Sequence, residues 1–105
     1  FLAETKALLT IYPDVYVDLG VLSWAIPRAE FQAYLKALVD AGFANRVMFG
    51  SDQMVWPEAI GLAIAGINEA AFLTPAQRRA IFYDNAARFL RLTPAEIARD
   101  HAAAR

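Results

Sequence analysis

The chain has 105 residues, which is enough for one domain of ordinary size. Apolar residues make up 58% of it and charged residues 20%, a composition that excludes an intrinsically disordered chain. The formal net charge is −1, whereas nucleic-acid-binding domains carry a marked basic excess, so that class is disfavoured. There is no cysteine and only one histidine, His101, which excludes a disulfide scaffold and a histidine-rich metal site within this sequence.

The apolar fraction is larger than the core of so short a chain needs, because a domain of this size buries only about two-thirds of its surface. We therefore expect self-association, or contact with a missing segment of the same polypeptide. The sequence starts at Phe1 with no secretory signal, and the apolar run over residues 59–67 is too short to span a bilayer. We expect a cytoplasmic protein with neither a membrane nor a nucleic-acid partner.

Helix and strand alternate in the first part of the chain. Leucines at helical spacing predict a helix that Pro13 ends, and the β-branched and aromatic residues 15–19 predict a strand that ends at Gly20. We expect residues 21–27 to form an irregular loop.

The remaining sequence predicts a second strand among several helices. A helix is expected from Arg28 to Gly42, followed by a strand over residues 46–50 and a nearly all-apolar helix over 57–71. Such an apolar helix is normally buried on more than one side. Capping boxes that begin at Thr74 and Thr93 predict two further helices.

The separation of the two predicted strands is that of one βαβ unit, which is found in parallel sheets. Two parallel strands alone do not make a sheet with both faces covered. The sequence therefore predicts an α/β domain from which most strands are missing, with residues 1–105 forming a single partial domain.

Asp52 is the leading candidate for a chemical role. It follows the second predicted strand by two residues, in the segment Phe49-Gly-Ser-Asp52. A carboxylate at the carboxyl end of a parallel strand can bind a metal ion and accept a proton from metal-bound water. On the residues alone, the commoner role is that of a turn residue whose side chain bonds nearby backbone amides.

Three segments, taken in order, resemble the C-terminal third of the amidohydrolase-related metal-dependent hydrolases. These segments are Tyr12–Gly20, Arg46–Asp52 and Tyr83–Arg91. The family has a distorted (β/α)₈ barrel (TIM barrel) and includes lactonases and non-hydrolytic decarboxylases. The resemblance implies that residues 15–19 and 46–50 are the seventh and eighth barrel strands. It also implies that Asp52 is the catalytic aspartate after the eighth strand, a metal ligand and proton-transfer residue.

The resemblance further implies a divalent metal, with zinc expected, in the intact enzyme. The family's histidine ligands come from strands that this sequence lacks, and His101 lies beyond the barrel. We therefore expect the chain alone to bind no metal tightly and to be inactive. The implied substrate is a small organic acid, ester or lactone. The route from Asp52 to Pro57 is longer than in many relatives, which changes the local pocket.

Other residues have two possible roles each. Trp24 and Trp56 follow the two strands and could form apolar walls of a substrate pocket, or pack loop against helix. Asp18 could point into the barrel mouth or make a structural hydrogen bond or ion pair. We expect Asn85 to cap a helix.

A second, non-enzymatic hypothesis is a helical or α/β interaction module. In that case the apolar helical segment over residues 59–67 is an interface through which the chain associates, and Asp52 is only a turn residue. We expect Arg78 and Arg79 to lie on an exposed helix face.

Overall fold

The computed structural model describes residues 1–103, in which helices surround a short parallel sheet. The helices are α1 (Leu2–Ile11), α2 (Leu22–Ala25), α3 (Arg28–Asp40), α4 (Glu58–Asn68), α5 (Pro75–Arg79), α6 (Asn85–Phe89) and α7 (Pro94–Ala103). The strands are β1 (Val17–Asp18) and β2 (Val47–Met48). A 3₁₀ turn over Ala44–Arg46 precedes β2, and a π-helical turn over Ala80–Asp84 joins α5 to α6. No helix within these residues has the length and apolarity needed to cross a bilayer.

The two strands are parallel and connected through α3, as the spacing in the sequence predicts. Val17 lies opposite Val47 and Asp18 lies opposite Met48. The N–H of Leu19 donates to the Met48 carbonyl at 3.0 Å, which extends the ladder by one bond. The helix-rich α/β class is therefore confirmed, although both strands are shorter than predicted. Residues 22–25 are helical, so the expectation of an irregular loop there was wrong in part.

The core lies where α1, α3, α4 and the π turn meet the two strands. The fully buried side chains belong to Leu9, Leu19, Phe31, Leu35, Leu38, Val47, Ile67, Ala70, Leu73 and Ile81. Phe31, Leu35 and Leu38 lie at helical spacing on α3 and give that helix one buried face.

Asn85 is buried and does not cap a helix. The π turn carries the helix through this position, so the expected helix end is absent and the side chain faces β2 instead. Its amide nitrogen donates to the carbonyls of Ala44 at 2.8 Å and Val47 at 2.7 Å. Its Oδ1 accepts from Arg88 at 2.8 Å. The side chain thus joins α6 to the start of β2 by donating to two backbone carbonyls there.

Helix α4 is buried along one side only. Ala59, Ala63 and Ile67, spaced four residues apart, face the core. Ile60 and Ile64 lie on one flank of this buried stripe and are 38% exposed, and Leu62 lies on the opposite flank and is 55% exposed. The expectation that this helix is buried on more than one side is not met within the described residues, which leaves apolar side chains exposed on both flanks.

Candidate functional site

The candidate site lies where the carboxyl ends of β1 and β2 meet. Asp18 is the last residue of β1, and Asp52 lies four residues beyond the end of β2. Together with Gly20 and Gly50 they line a depression of about 440 Å³. Parallel strands place their carboxyl ends at one edge of a sheet, so two aspartates distant in sequence become neighbours.

The Asp18 carboxylate lies directly against two glycines. Its Oδ1 accepts a hydrogen bond from the N–H of Gly20 at 2.6 Å. A Cβ atom on Gly50 would lie only 2.8 Å from both Cγ and Oδ2 of Asp18. Gly50 is therefore required for space, and the expected structural hydrogen bond of Asp18 is present beside a surface that opens to solvent.

Asp52 has an unusual backbone conformation and an exposed side chain. Its φ is 51°, in the left-handed region that aspartate enters at lower cost than most residues. A Cβ on Gly20 would lie 3.2 Å from the Asp52 Cβ and 2.9 Å from the Asp18 Oδ1. A single methyl group at Gly20 would thus touch both aspartates, which shows how closely they approach.

The side chains of Ser51 and Gln53, and not that of Asp52, accept the hydrogen bonds from backbone amides in this turn. Ser51 Oγ accepts from the N–H of Gln53 at 3.3 Å, and Gln53 Oε1 accepts from the N–H groups of Val55 and Trp56, both at 2.7 Å. Within residues 1–103 the structure records no hydrogen bond to the Asp52 carboxylate. The turn therefore leaves this carboxylate available for a ligand.

The loop after β1 holds the loop after β2 in place. The Ser51 carbonyl accepts from Trp24 Nε1 at 2.6 Å and from the N–H of Val21 at 3.2 Å. The buried Ser23 hydroxyl donates to the Gly50 carbonyl at 3.2 Å. These three bonds fix the backbone immediately before Asp52.

The structure does not bring the two tryptophans to the depression. Trp24 is engaged in the contact between the two loops, whereas Trp56 is 61% exposed. Neither lines the surface that Asp18 and Asp52 share. Loop packing accounts for Trp24, and a pocket-wall role for either tryptophan stays a prediction.

Val21 carries backbone strain beside the site, a feature that the sequence did not indicate. Its φ of 67° and ψ of −54° are those of a classic γ-turn, in which the N–H of Leu22 donates to the Gly20 carbonyl at 2.8 Å. A β-branched residue rarely adopts this conformation, and such strain persists only where surrounding contacts impose it. Here the hydrogen bond from Val21 to Ser51 is one such contact.

The described residues offer part of a metal site. No three Asp, Glu or His side chains among residues 1–103 converge on a common point. Asp18 and Asp52 supply oxygen donors, whereas a zinc ion takes about four ligands and favours nitrogen as well as oxygen. His101 lies on α7, with its ring against that of Tyr83. The residues present therefore fit one side of a metal site and do not complete it.

The model of a protein family described as Amidohydrolase matches residues 1–92 of the chain. The chain belongs to the amidohydrolase family. The match includes both strands, both aspartates and the helices up to α6, and it confirms the resemblance inferred from the three sequence segments. Comparison of the chain with curated proteins and with solved structures found no significant match.

Proposed function

We propose that this amidohydrolase chain is the C-terminal part of a distorted (β/α)₈ barrel, with β1 as the seventh strand and β2 as the eighth. The intact enzyme would be a metal-dependent hydrolase or carboxy-lyase that acts on a small organic acid, ester or lactone. The observation that supports this most is the parallel pair whose carboxyl ends bear Asp18 and Asp52 on one open surface. Active sites of such barrels lie at that edge of the strands.

Asp52 is the carboxylate that we assign to the metal and to proton transfer. Its oxygens have no bond within residues 1–103, whereas Asp18 Oδ1 is held by Gly20. A divalent metal, with zinc the candidate, would lower the pKa of a bound water when present. Asp52 would hold a proton taken from that site, and Asp18 would form the adjoining wall.

The other metal ligands would come from polypeptide outside this chain. Two carboxylates make a weak zinc site, because zinc affinity in proteins depends on about four ligands including imidazole or thiolate. We therefore expect the 105 residues alone to be inactive and to bind zinc weakly.

The exposed apolar surface would contact the rest of that barrel. It includes side chains of α4 and of the loop that leads to it: Met54, Val55, Trp56, Ile60, Leu62 and Ile64. Apolar surface of this extent usually marks a contact between polypeptides. The same surface would serve the alternative function, in which the chain is a non-catalytic module that associates through it.

Calorimetric titration with zinc tests the incomplete site. The 105-residue chain should bind zinc weakly, and Asp52→Asn should weaken that binding further, whereas Glu58→Gln, at an exposed acid of α4, should not. In an intact barrel containing this segment, Asp52→Asn should lower kcat by a factor of at least about 100, and Glu58→Gln should leave it unchanged. Tight one-to-one zinc binding by the chain alone, or full activity of the Asp52→Asn barrel, would contradict the proposal.

Light scattering coupled to size-exclusion chromatography separates the barrel segment from the alternative module. A severed barrel segment should associate increasingly as its concentration rises, because its apolar surface lacks its normal partner. A single species of defined stoichiometry, monomer or oligomer, that unfolds cooperatively would favour the independent module, whereas association without cooperative unfolding would favour the barrel segment.

A further inference from the structure

A second cavity, of about 330 Å³, lies between the π turn and α7 and shares no lining residue with the depression at Asp52. The aromatic rings of Phe82, Tyr83 and His101 form much of its wall. Its volume is at the lower end of the range for small-molecule sites, which is enough for a ligand with one ring.

Two contacts hold α7 against the π turn and shape this wall. The Tyr83 and His101 rings meet edge to face, with centroids 4.8 Å apart. The Tyr83 hydroxyl donates to Asp100 at 2.5 Å, and this bond raises the pKa of Tyr83 to about 12. The phenol is therefore neutral near pH 7 and adds no negative charge to the cavity.

The polar part of the lining has a positive excess. Arg78 and Arg79 both line the cavity, against one lining acid, Asp84, whereas Asp100 and Glu96 lie near Tyr83 without lining the cavity. Neither arginine forms an ion pair within residues 1–103.

The environment of Arg78 differs from that expected of an exposed helix face, so that expectation was wrong for this residue. It is half-buried, its Nη2 donates to the Ala70 carbonyl at 3.1 Å, and its Nε is buried with no hydrogen-bond partner. The Arg78 guanidinium is therefore turned toward the backbone at Ala70, and Arg79 is the lining arginine that is exposed to a ligand.

We propose that this cavity binds a small carboxylate with a planar, apolar body. The ring of the ligand would pack on Phe82 and Tyr83, where aromatic contacts add to the burial of apolar area. Its carboxylate would lie against the guanidinium of Arg79, which is exposed and makes no hydrogen bond in the described structure. This proposal does not depend on the function assigned to Asp52.

Titration of the ¹⁵N-labelled chain with benzoate, followed by amide chemical shifts at pH 7, tests the proposal. Shifts should saturate in the millimolar range and be confined to α5, the π turn and the end of α7. Arg79→Gln should raise the Kd about three-fold, the loss expected for one solvent-exposed charge contact. Arg99→Gln removes an equal charge from an exposed position on α7 that does not line the cavity, and should leave the Kd unchanged.

Two further ligands separate the contributions of the ring and the charge. Benzyl alcohol has the ring without the carboxylate, and acetate has the carboxylate without the ring, so both should bind more weakly than benzoate. Equal binding of benzyl alcohol would overturn the anion contact, and equal binding of acetate would overturn the aromatic one. Absence of saturable shifts in the cavity, or equal effects of the two arginine variants, would overturn the site itself.

Discussion

The N–H of Phe49 donates to the carbonyl of Ile81 at 2.8 Å, and this bond joins the end of β2 to the π turn. In an α-helix the Ile81 carbonyl would accept from the N–H of Asn85. In the π turn that N–H donates to Ala80 instead, five residues back, which leaves the Ile81 carbonyl free for Phe49. The phenyl rings of Phe49 and Phe82 also pack together, with centroids 5.2 Å apart. The π turn thus anchors the segment that leads to Gly50 and Asp52.

Replacement of Asn85 should destabilise the chain strongly. Asn85→Ala would remove the donor to the buried Val47 carbonyl and to the partly buried Ala44 carbonyl, and we expect the free energy of unfolding to fall by about 2–4 kcal/mol. Urea denaturation followed by circular dichroism measures this loss. Asn68→Ala, at an exposed position, is the control and should change stability by less than about 0.5 kcal/mol. Similar losses in the two variants would contradict the role of Asn85.

A methyl group at Gly50 should displace the Asp18 carboxylate. Gly50→Ala would place a Cβ 2.8 Å from Asp18 Cγ, so the carboxylate must move and its bond to Gly20 should weaken. We expect the free energy of unfolding to fall by about 1–3 kcal/mol, which is the usual cost of inserting an extra methyl group into a packed site. Gly61→Ala is the matched control, because a Cβ at that position would meet no atom within 4 Å and alanine favours helix, so it should stabilise by up to about 1 kcal/mol. Thermal unfolding of both variants measures these changes. A Gly50→Ala variant as stable as the parent chain would contradict the close packing of Gly50 against Asp18.

Glycine at position 91 should stabilise the chain. Arg91 follows α6 with a φ of 56°, and the N–H of Leu92 donates to the Ala87 carbonyl at 3.0 Å, as in a Schellman motif. The Cβ of arginine makes this conformation sterically unfavourable, whereas glycine has no Cβ. Arg91→Gly should therefore raise the free energy of unfolding by up to about 1 kcal/mol and raise the Tm by several degrees.

Gly42 provides the reverse test. It follows α3 in the same motif with a φ of 90°, so Gly42→Ala should lower the Tm by a similar amount. A fall in Tm for Arg91→Gly, or no change for Gly42→Ala, would show that these helix ends are not limited by backbone strain.

Ionisation of Tyr83 should be delayed relative to that of an ordinary tyrosine. Its hydrogen bond to Asp100 raises its pKa from 10.0 to about 12, because the negative carboxylate disfavours the phenolate. A raised folded-state pKa means that the associated stability is fully present below pH 10 and is lost as the pH rises through about 12. Difference absorbance of the phenolate between the parent chain and Tyr83→Phe reports this titration.

The variant Asp100→Asn tests the cause of the shift. It removes the charge and keeps a side-chain oxygen, so the Tyr83 pKa should move back toward its ordinary value. An unchanged titration in this variant would assign the shift to another group.

Several features could be predicted from the sequence because they depend on neighbouring residues. The capping box at Thr74 forms as expected, with Gln77 N–H donating to Thr74 Oγ1 at 3.1 Å and Gln77 Oε1 accepting from Thr74 N–H at 3.0 Å. The termination of α3 just before Gly42 and the parallel order of the strands also follow from local patterns and from the length of the connection. The role of Asp52 stays a prediction, although its position beyond the second strand was correct.

Other features depend on contacts between segments distant in sequence, and only the tertiary structure decided them. The π turn forms where Ile81 meets Phe49, 32 positions apart in the printed sequence, and it removes the helix end expected at Asn85. The approach of Asp18 to Asp52 requires glycine at two positions in different loops. Local propensity determined which segments are helix or strand. Packing determined which partner the free carbonyls of Ala44, Val47 and Ile81 take, because each of them accepts from a donor more than 30 positions away in the sequence.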